Sequence, residues 1–410
     1  MTKQKLVITG MGAVTPIGIG VDTYWNNLLA GVKGIAPITR FDTSGLPVHI
    51  AGEVKDFNLA DYLPKKLVRE TDAFMHYALV AANEAIAQSG LPVQEERVGI
   101  VMSSALNGIT TIAETQDECT KKGAYKVSPR FVPKVEGNIA AAQIAISHGI
   151  QGPSLTLSTA CASGVDAIGT AAMLIRAGET EAVIAVGADA TICPVMLSGL
   201  ANSRALSLNN EDPAGASKPF DLNRDGFVVG EGGGAVVIET EEHAKKRGAT
   251  IFAELLGYDS NTDGYHVTSP APDGNGAISC MTRAIQKAGL TPNDIDYVNA
   301  HGTATKVGDE IEVRALKAVF GEEDRVTVSS TKGATGHMMA GGGITETIAC
   351  IQAVRNDVVP ATLNYETPDP SCQLNLVVNT PKKMTVRAAM SNAFGFGGQN
   401  ASVIVGKYCE

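Results

Sequence analysis

Basic side chains are scarce in this chain: 33 lysines and arginines stand against 43 acids, a net charge of −10. That balance disfavours a nucleic-acid role. The seven cysteines, at 119, 161, 193, 280, 350, 372 and 409, show no CxxC pair and no metal-finger spacing, and their number is odd. A disulfide framework is therefore not expected, and reduced thiols in a cytosolic compartment are. No apolar run approaches the length of a bilayer span, and the opening run at residues 6–9 is too short for a secretory signal core. There is no low-complexity tract and no long linker. A soluble, cytoplasmic protein is the expectation.

What is present is apolar and rich in glycine: 44% hydrophobic residues and 44 glycines in 410. This composition predicts a tightly packed α/β enzyme large enough for two fused halves, 1–250 and 251–410. Short apolar runs at 6–9, 98–102 and 181–188 predict buried strands, and 154–157 reads as a strand. Helical periodicity covers 72–88, stopped by Ser89-Gly90-Leu91-Pro92, and a small-residue helix is expected over 164–177. The second half repeats the theme. Strands are expected at 251–258, 297–300, 326–330, 388–391 and 402–405, with helices at 277–288, 309–319 and 343–355. In each half a strand delivers a polar loop that opens a helix, which suggests duplication of pattern without duplication of letters. The charged stretch 241–250 is the expected seam.

Three small-residue turns hold the reactive groups. Ser158-Thr159-Ala160-Cys161-Ala162-Ser163-Gly164 leaves space around one cysteine at a helix start, where the helix dipole is expected to lower the thiol pKa. Asn299-Ala300-His301-Gly302-Thr303-Ala304-Thr305 and Ser330-Thr331-Lys332-Gly333-Ala334-Thr335-Gly336-His337 each set a histidine beside glycine at a strand end. A thiolate attacks acyl groups, and two neutral imidazole N–H groups can hold an oxyanion or enolate. Lys332 is expected to be buried and paired with Glu346. The glycines of Phe394-Gly395-Phe396-Gly397-Gly398 would let backbone N–H groups approach a ligand, with an aromatic ring as a lid. The other cysteines, and His49, His76, His148, His243 and His266, are read as structural. Gly230-Glu231-Gly232-Gly233-Gly234 lacks the Lys-Ser/Thr of a phosphate loop, and Gly10-Met11-Gly12 is too short for a dinucleotide fingerprint.

On Thr159 through Gly164, Asn299 through Thr303, Thr331-Lys332, Gly336-His337 and Asn392 through Gly398, the chain resembles the β-ketoacyl-acyl carrier protein synthases. These are the elongating condensing enzymes of fatty-acid synthesis, and the type II form is the nearest. The resemblance spans essentially the whole sequence. It implies a thiolase-like layered αβαβα fold and a homodimer. It makes Cys161 the acyl-accepting nucleophile, with the backbone N–H groups of Cys161 and Phe396 as oxyanion hole. His301 and His337 would bind the malonyl thioester carbonyl and stabilise the enolate. Lys332 with Glu346 would hold His337, and Phe396 would gate the thiol. Thr268, Thr303 and Thr305 match contacts to the pantetheine arm, while Ile112 and Leu200 should line or flank the acyl tunnel. Lys65, Lys66, Arg69, Lys126 and Arg204 fall where relatives present a basic footprint for the acidic acyl carrier protein. Asn299, Glu346, Ser391 and Asn392 match positions where some members hold a sodium or potassium ion; no other cofactor is implied.

Departures from the family pattern bear on specificity. Glu70 stands where a basic residue is common, Gln399 follows the double glycine where elongases often carry Thr or His, and Asn107 is unusual. A polyketide or polyene ketosynthase of a secondary-metabolite pathway, perhaps a heterodimer's catalytic subunit, keeps the same reactive residues and is the alternative. A thiolase would need a cysteine in the last glycine-rich loop. A starter-unit condensing enzyme would carry Asn in place of His337, and a chain-length partner would lack Cys161.

Overall fold

The computed structural model describes residues 4–94, 97–322 and 325–409. Ten strands carry the architecture: β1 Leu6–Thr15, β2 Val98–Ser103, β3 Ser154–Leu157, β4 Ala182–Asp189, β5 Gly232–Thr240, β6 Ala253–Thr262, β7 Tyr297–Asn299, β8 Thr327–Ser329, β9 Ala388–Gly395 and β10 Gln399–Gly406. They form one mixed sheet in the order β8-β7-β9-β10-β6-β1-β5-β4-β2-β3. Counting strands from each half's own start, both halves read 3-2-4-5-1. The directions repeat as well. β2 pairs parallel with β3 and β4, as β7 does with β8 and β9. The β4–β5, β5–β1, β9–β10 and β10–β6 pairs are antiparallel. The halves meet where β1 runs antiparallel to β6, Leu6 opposite Leu255.

Helices occupy equivalent places. After each half's first strand comes an outer helix, α1 (Ala73–Ser89) or α6 (Asn275–Ala288). After the second come α2 (Ile109–Lys122) and α3 (Asn138–His148) in one half, and α7 (Lys306–Phe320) in the other. After the third comes a central helix, α4 (Ser163–Arg176) or α8 (Ala340–Asn356). The remaining helix used below is α5 (Pro194–Asn202). α4 and α8 pack against each other and against strands of both halves. This gives five layers, αβαβα, and the described buried apolar residues fall into four clusters.

Alternation along the strands feeds those cores. Val98, Ile100 and Met102 of β2 join α1 in one outer core, while Val101 points to the central one. In β4, Ile184 and Val186 go outward while Val183 and Ala185 go inward. A strand buried on both faces must read as an unbroken apolar run. The strand β1 is longer than its apolar letters suggest. A side chain at Gly10 or Gly12 would sit 2.1 or 1.9 Å from the carbonyl oxygens of Ala85 or Ala81 on α1. These glycines permit close helix–sheet contact. Gly232 instead permits a close strand contact: a Cβ there would meet the Val14 carbonyl of β1 at 2.3 Å.

Candidate active site

Cys161 sits between β3 and α4. Ala160 before it adopts φ 51°, a left-handed conformation costly for a side-chain-bearing residue, of order 1–3 kcal/mol. Ser163 holds that turn, accepting from the Thr159 N–H (2.7 Å) and donating to the Ala160 carbonyl (2.6 Å). The β9–β10 hairpin presses on the same turn. A Cβ on Gly395 would lie 3.0 Å from Cys161 N and from the Thr159 carbonyl, so only glycine fits without a shift. The thiol consequently interacts with two backbone N–H groups, those of Phe396 and Cys161 itself.

The other half contributes the rings. His301 follows β7, and its loop is pinned by Glu312 of α7, which accepts from the backbone N–H of His301 (2.8 Å) and of Gly302 (2.7 Å). His337 lies between β8 and α8, its N–H donating to the Val228 carbonyl at 2.8 Å. Its Nε2 stands 2.9 Å from Cys161 Sγ. The two imidazoles meet edge to face, centroids 5.3 Å apart, and Phe227 and Phe394 pack on their far sides. Lys332 Nζ contacts Glu346 Oε1 at 2.5 Å, and both side chains are buried.

Burial sets the charge states. It holds both imidazoles well below the ordinary histidine range, and the neighbouring Lys332 ammonium pushes the same way. Each ring is therefore neutral at pH 7 and offers one N–H. Burial also pushes the Cys161 thiol up to about 12, against the pull of Lys332 and the two backbone N–H groups. This corrects the expectation that the helix dipole would acidify the resting thiol: desolvation is the larger influence, and the resting sulfur carries its proton.

A cavity of about 530 Å³ ends at these groups. Thr268, Thr303, Thr305, Arg204 and Phe396 line it, with Leu106, Met196 and Leu200. Ile112, in contrast, is 39% exposed on α2 and does not line the cavity. Lys65, Lys66 and Arg69 are exposed on a short helix, Lys65–Glu70, and Lys126 is exposed beyond α2. These lysines and Arg69 lie apart from the cavity wall. Cys119 is half-buried and Cys409 exposed, unlike the four buried structural cysteines. Among the histidines read as structural, His49 and His148 bond Leu46 O and Asn83 Oδ1 at 2.9 and 2.7 Å.

Asn299 and Ser391 are register partners on β7 and β9, and the side-chain oxygens of both are buried without a hydrogen-bond partner. These two unpartnered oxygens suit a hard monovalent cation, while Glu346 Oε1 is engaged by Lys332. Asn392 Oδ1 is instead occupied by the Ser402 hydroxyl at 2.8 Å.

Three carboxylates went unread in the sequence. Glu312 and Asp309 lie at i and i−3 on the buried face of α7, and two acids on an otherwise apolar stripe were the available signal. Asp189 at the end of β4 accepts from Ser104 Oγ, the N–H groups of Ala105 and Leu106, and the Ala340 N–H. It thus ties a cavity wall to the start of α8.

Comparison with known proteins agrees with this arrangement. Residues 3–244 match the family described as Beta-ketoacyl synthase, N-terminal domain, and residues 252–366 match the corresponding C-terminal domain. The 3-oxoacyl-[acyl-carrier-protein] synthase 2 of Coxiella burnetii is 42% identical, over 99% of both chains. That of Staphylococcus aureus is 43% identical, again over 99% of both. A β-ketoacyl synthase from Burkholderia phymatum superposes with a TM-score of 0.92 at 32% identity, covering 99% of this chain and 100% of the other. A type II polyketide acyl-carrier protein in complex with its ketosynthase, bound to the hexaketide, also gives 0.92, at 30% identity and 99% and 100% coverage. With its nucleophile turn, paired histidines and repeated sheet, the chain belongs to the β-ketoacyl synthase family.

Proposed function

We propose that this protein is a β-ketoacyl-acyl carrier protein synthase that lengthens fatty-acyl chains by two carbons. The observation that carries the reading is the meeting of Cys161 Sγ with His337 Nε2 at 2.9 Å and His301 beyond it, at the end of a largely apolar cavity. The half 1–250 supplies the nucleophile and 251–410 the two imidazoles. In the first step the sulfur attacks the thioester carbonyl of an acyl carrier protein, and the N–H groups of Cys161 and Phe396 hold the oxyanion. The thiol proton leaves through His337 Nε2 and ends on the departing pantetheine sulfur.

In the second step malonyl-carrier protein enters. His301 and His337 donate to its thioester oxygen while the carboxylate departs as carbon dioxide. The resulting enolate attacks the acyl-enzyme, the Cys161–acyl bond breaks, and the sulfur leaves as a thiolate that regains a proton from water. Neutral rings suit this role, because a cationic imidazole would protonate the enolate it should stabilise. Removing one such donor costs about 3 kcal/mol in analogous oxyanion sites. Lys332, through Glu346, orients the region, and Phe396 covers the thiol until acylation.

Thr268, Thr303 and Thr305 fit contacts to the pantetheine arm, with Leu200 lining and Ile112 flanking the acyl channel. Lys65, Lys66, Arg69, Lys126 and Arg204 form the docking footprint for the acidic carrier. A homodimer is supported by β3, which pairs on one side only and leaves Leu155 42% exposed beside Ile146 and Met173. Asn299 and Ser391, with Glu346, would hold a sodium or potassium ion, and Asn392 would join them only by releasing the Ser402 hydroxyl. The enzyme works in the cytoplasm.

Intact-protein mass after mixing with acyl-carrier proteins of graded length tests the reading. An acyl adduct on Cys161 that disappears into a ketoacyl product when malonyl-carrier protein is added is the expected result. Loading restricted to polyketide intermediates would favour the secondary-metabolite alternative. No adduct with any chain would overturn the assignment as a self-sufficient enzyme.

A further inference from the structure

The three reactive side chains also form a ligand set. One atom each from Cys161, His301 and His337 lie within 4.8 Å of one another, and they open onto the cavity. We propose that the unacylated site binds a thiophilic divalent cation, zinc above all, through the Cys161 sulfur and one ring nitrogen from each histidine. The fourth position faces the cavity. Occupancy is inhibitory and exchangeable.

The donor chemistry selects the metal. A thiolate with two imidazoles suits zinc or cobalt and not magnesium or calcium. Three protein ligands with one open position is the pattern of zinc sites that keep a solvent or substrate ligand. Zinc holds sulfur at about 2.3 Å and nitrogen at about 2.0–2.1 Å, so tetrahedral partners lie roughly 3.3–3.7 Å apart. The present 2.9 Å contact must lengthen by under 1 Å and the wider separations close by up to about 1.5 Å. The rings have freedom for this, since neither Nδ1 makes a hydrogen bond and both are held by aromatic packing.

The surrounding charge favours a dication. Asp189, Glu312 and Glu346 are buried carboxylates in contact with the loops or lysine of the site, against the single ammonium of Lys332. The missing outer hydrogen bonds on both imidazoles distinguish this site from a resident zinc centre and keep the metal exchangeable. Binding forms one metal–sulfur and two metal–nitrogen bonds and releases the thiol proton to water, with no change of oxidation state. It removes the nucleophile's lone pair and both ring donors together, so acyl loading stops. A free pantetheine thiol entering through the cavity would complete the coordination sphere and tighten the block.

The test uses the full chain, stripped with a chelator, in a Cys119→Ser/Cys409→Ser background that removes the more accessible thiols away from the site. Cobalt titration should give one equivalent per chain, a near-ultraviolet thiolate-to-metal charge-transfer band and the intense visible bands of a tetrahedral ion. Zinc should displace the cobalt. Cys161→Ser should lose the charge-transfer band, and His301→Gln and His337→Gln should each weaken zinc by more than the roughly 10–100-fold typical of losing an outer partner. Zinc should also protect Cys161 from iodoacetamide in the unsubstituted chain, a measurement that needs no variant. A charge-transfer band unchanged in Cys161→Ser, or alkylation indifferent to zinc, would overturn the proposal. Acyl loading by the metal-free protein reports on the condensing reading separately, so failure of either is visible without the other.

Discussion

Substituting alanine for Gly164 tests how the two halves are locked together. Gly164 is in the first turn of α4, three residues after the nucleophile. A Cβ there would lie 2.3 Å from the Ala340 carbonyl oxygen and 2.9 Å from the Ile344 N–H nitrogen, both on α8. Gly343 faces it: its Cβ would be 2.8 Å from Val165 N. Ordinary contacts begin near 3.5 Å, so α4 and α8 must separate by about 1 Å. Against this, alanine is favoured over glycine in a helix by about 1 kcal/mol. Overpacking costs about 1–3 kcal/mol, and a clash between backbones belongs at the upper end. The net expectation is a loss of about 0–2 kcal/mol, a shift of a few degrees in Tm.

The effect on chemistry should be much larger. α4 begins two residues after Cys161 and α8 follows His337, so a 1 Å separation falls directly on the 2.9 Å contact between them. Misplacement by 1 Å costs about 100-fold in rate. Gly164→Ala should therefore fold, melt a few degrees lower, and condense about 100-fold more slowly. Gly199→Ala is the control: on α5 its Cβ would meet nothing within 4 Å, and activity should persist. Thermal unfolding and steady-state condensation of the two variants decide the matter. Activity in Gly164→Ala within threefold of the unsubstituted chain would mean that the helix crossing does not set the site geometry.

Cys161→Ala should abolish condensation, whereas Cys161→Gln should leave malonyl decarboxylation running because both imidazoles remain; carbon dioxide release measures this. His337→Ala should retain some acyl transfer and lose decarboxylation, with equal loss of both contradicting the assigned role. Lys332→Met leaves Glu346 buried without its cation and should cost about 3–5 kcal/mol in denaturant unfolding. Adding Glu346→Leu should recover most of that stability but not the activity. Iodoacetamide alkylation of Cys161 should rise about tenfold per pH unit between pH 6.5 and 9, since the thiolate is a minor form below a pKa of about 12. A plateau near pH 7 would restore the helix dipole as the dominant influence.

The sequence was most legible where one physical cause acts alone. The helix at 72–88 has Asp72 as cap and Gly90 in the left-handed conformation, so its ends agree with the structure to within a residue. The strand read over 6–9 extends to Thr15, because Gly10 and Gly12 look like a turn but serve helix packing. α2 was not foreseen, since it buries no residue fully and shows no apolar stripe. In the site, the thiol and the imidazoles were readable from their small-residue turns. Glu312 and Asp189 were not, because their partners are backbone N–H groups distant in sequence. The thiol's protonation was misread for a related reason: a helix start is visible in the letters, but burial depends on the other half.

The repeated strand order also has a consequence for any attempt to divide the chain. Cut between 246 and 252, each fragment would expose the edge of β1 or β6 that pairs across the seam, and the face that α4 or α8 turns toward the other. The turn bearing Cys161 and the turn bearing Lys332 and His337 occupy the same station in the two repeats, following the third strand and preceding the inner helix. A symmetric pair of identical halves would place two equivalent turns across one axis. Two unlike repeats in one chain let one turn supply the nucleophile and the other the donor, a division of labour closed to a symmetric pair.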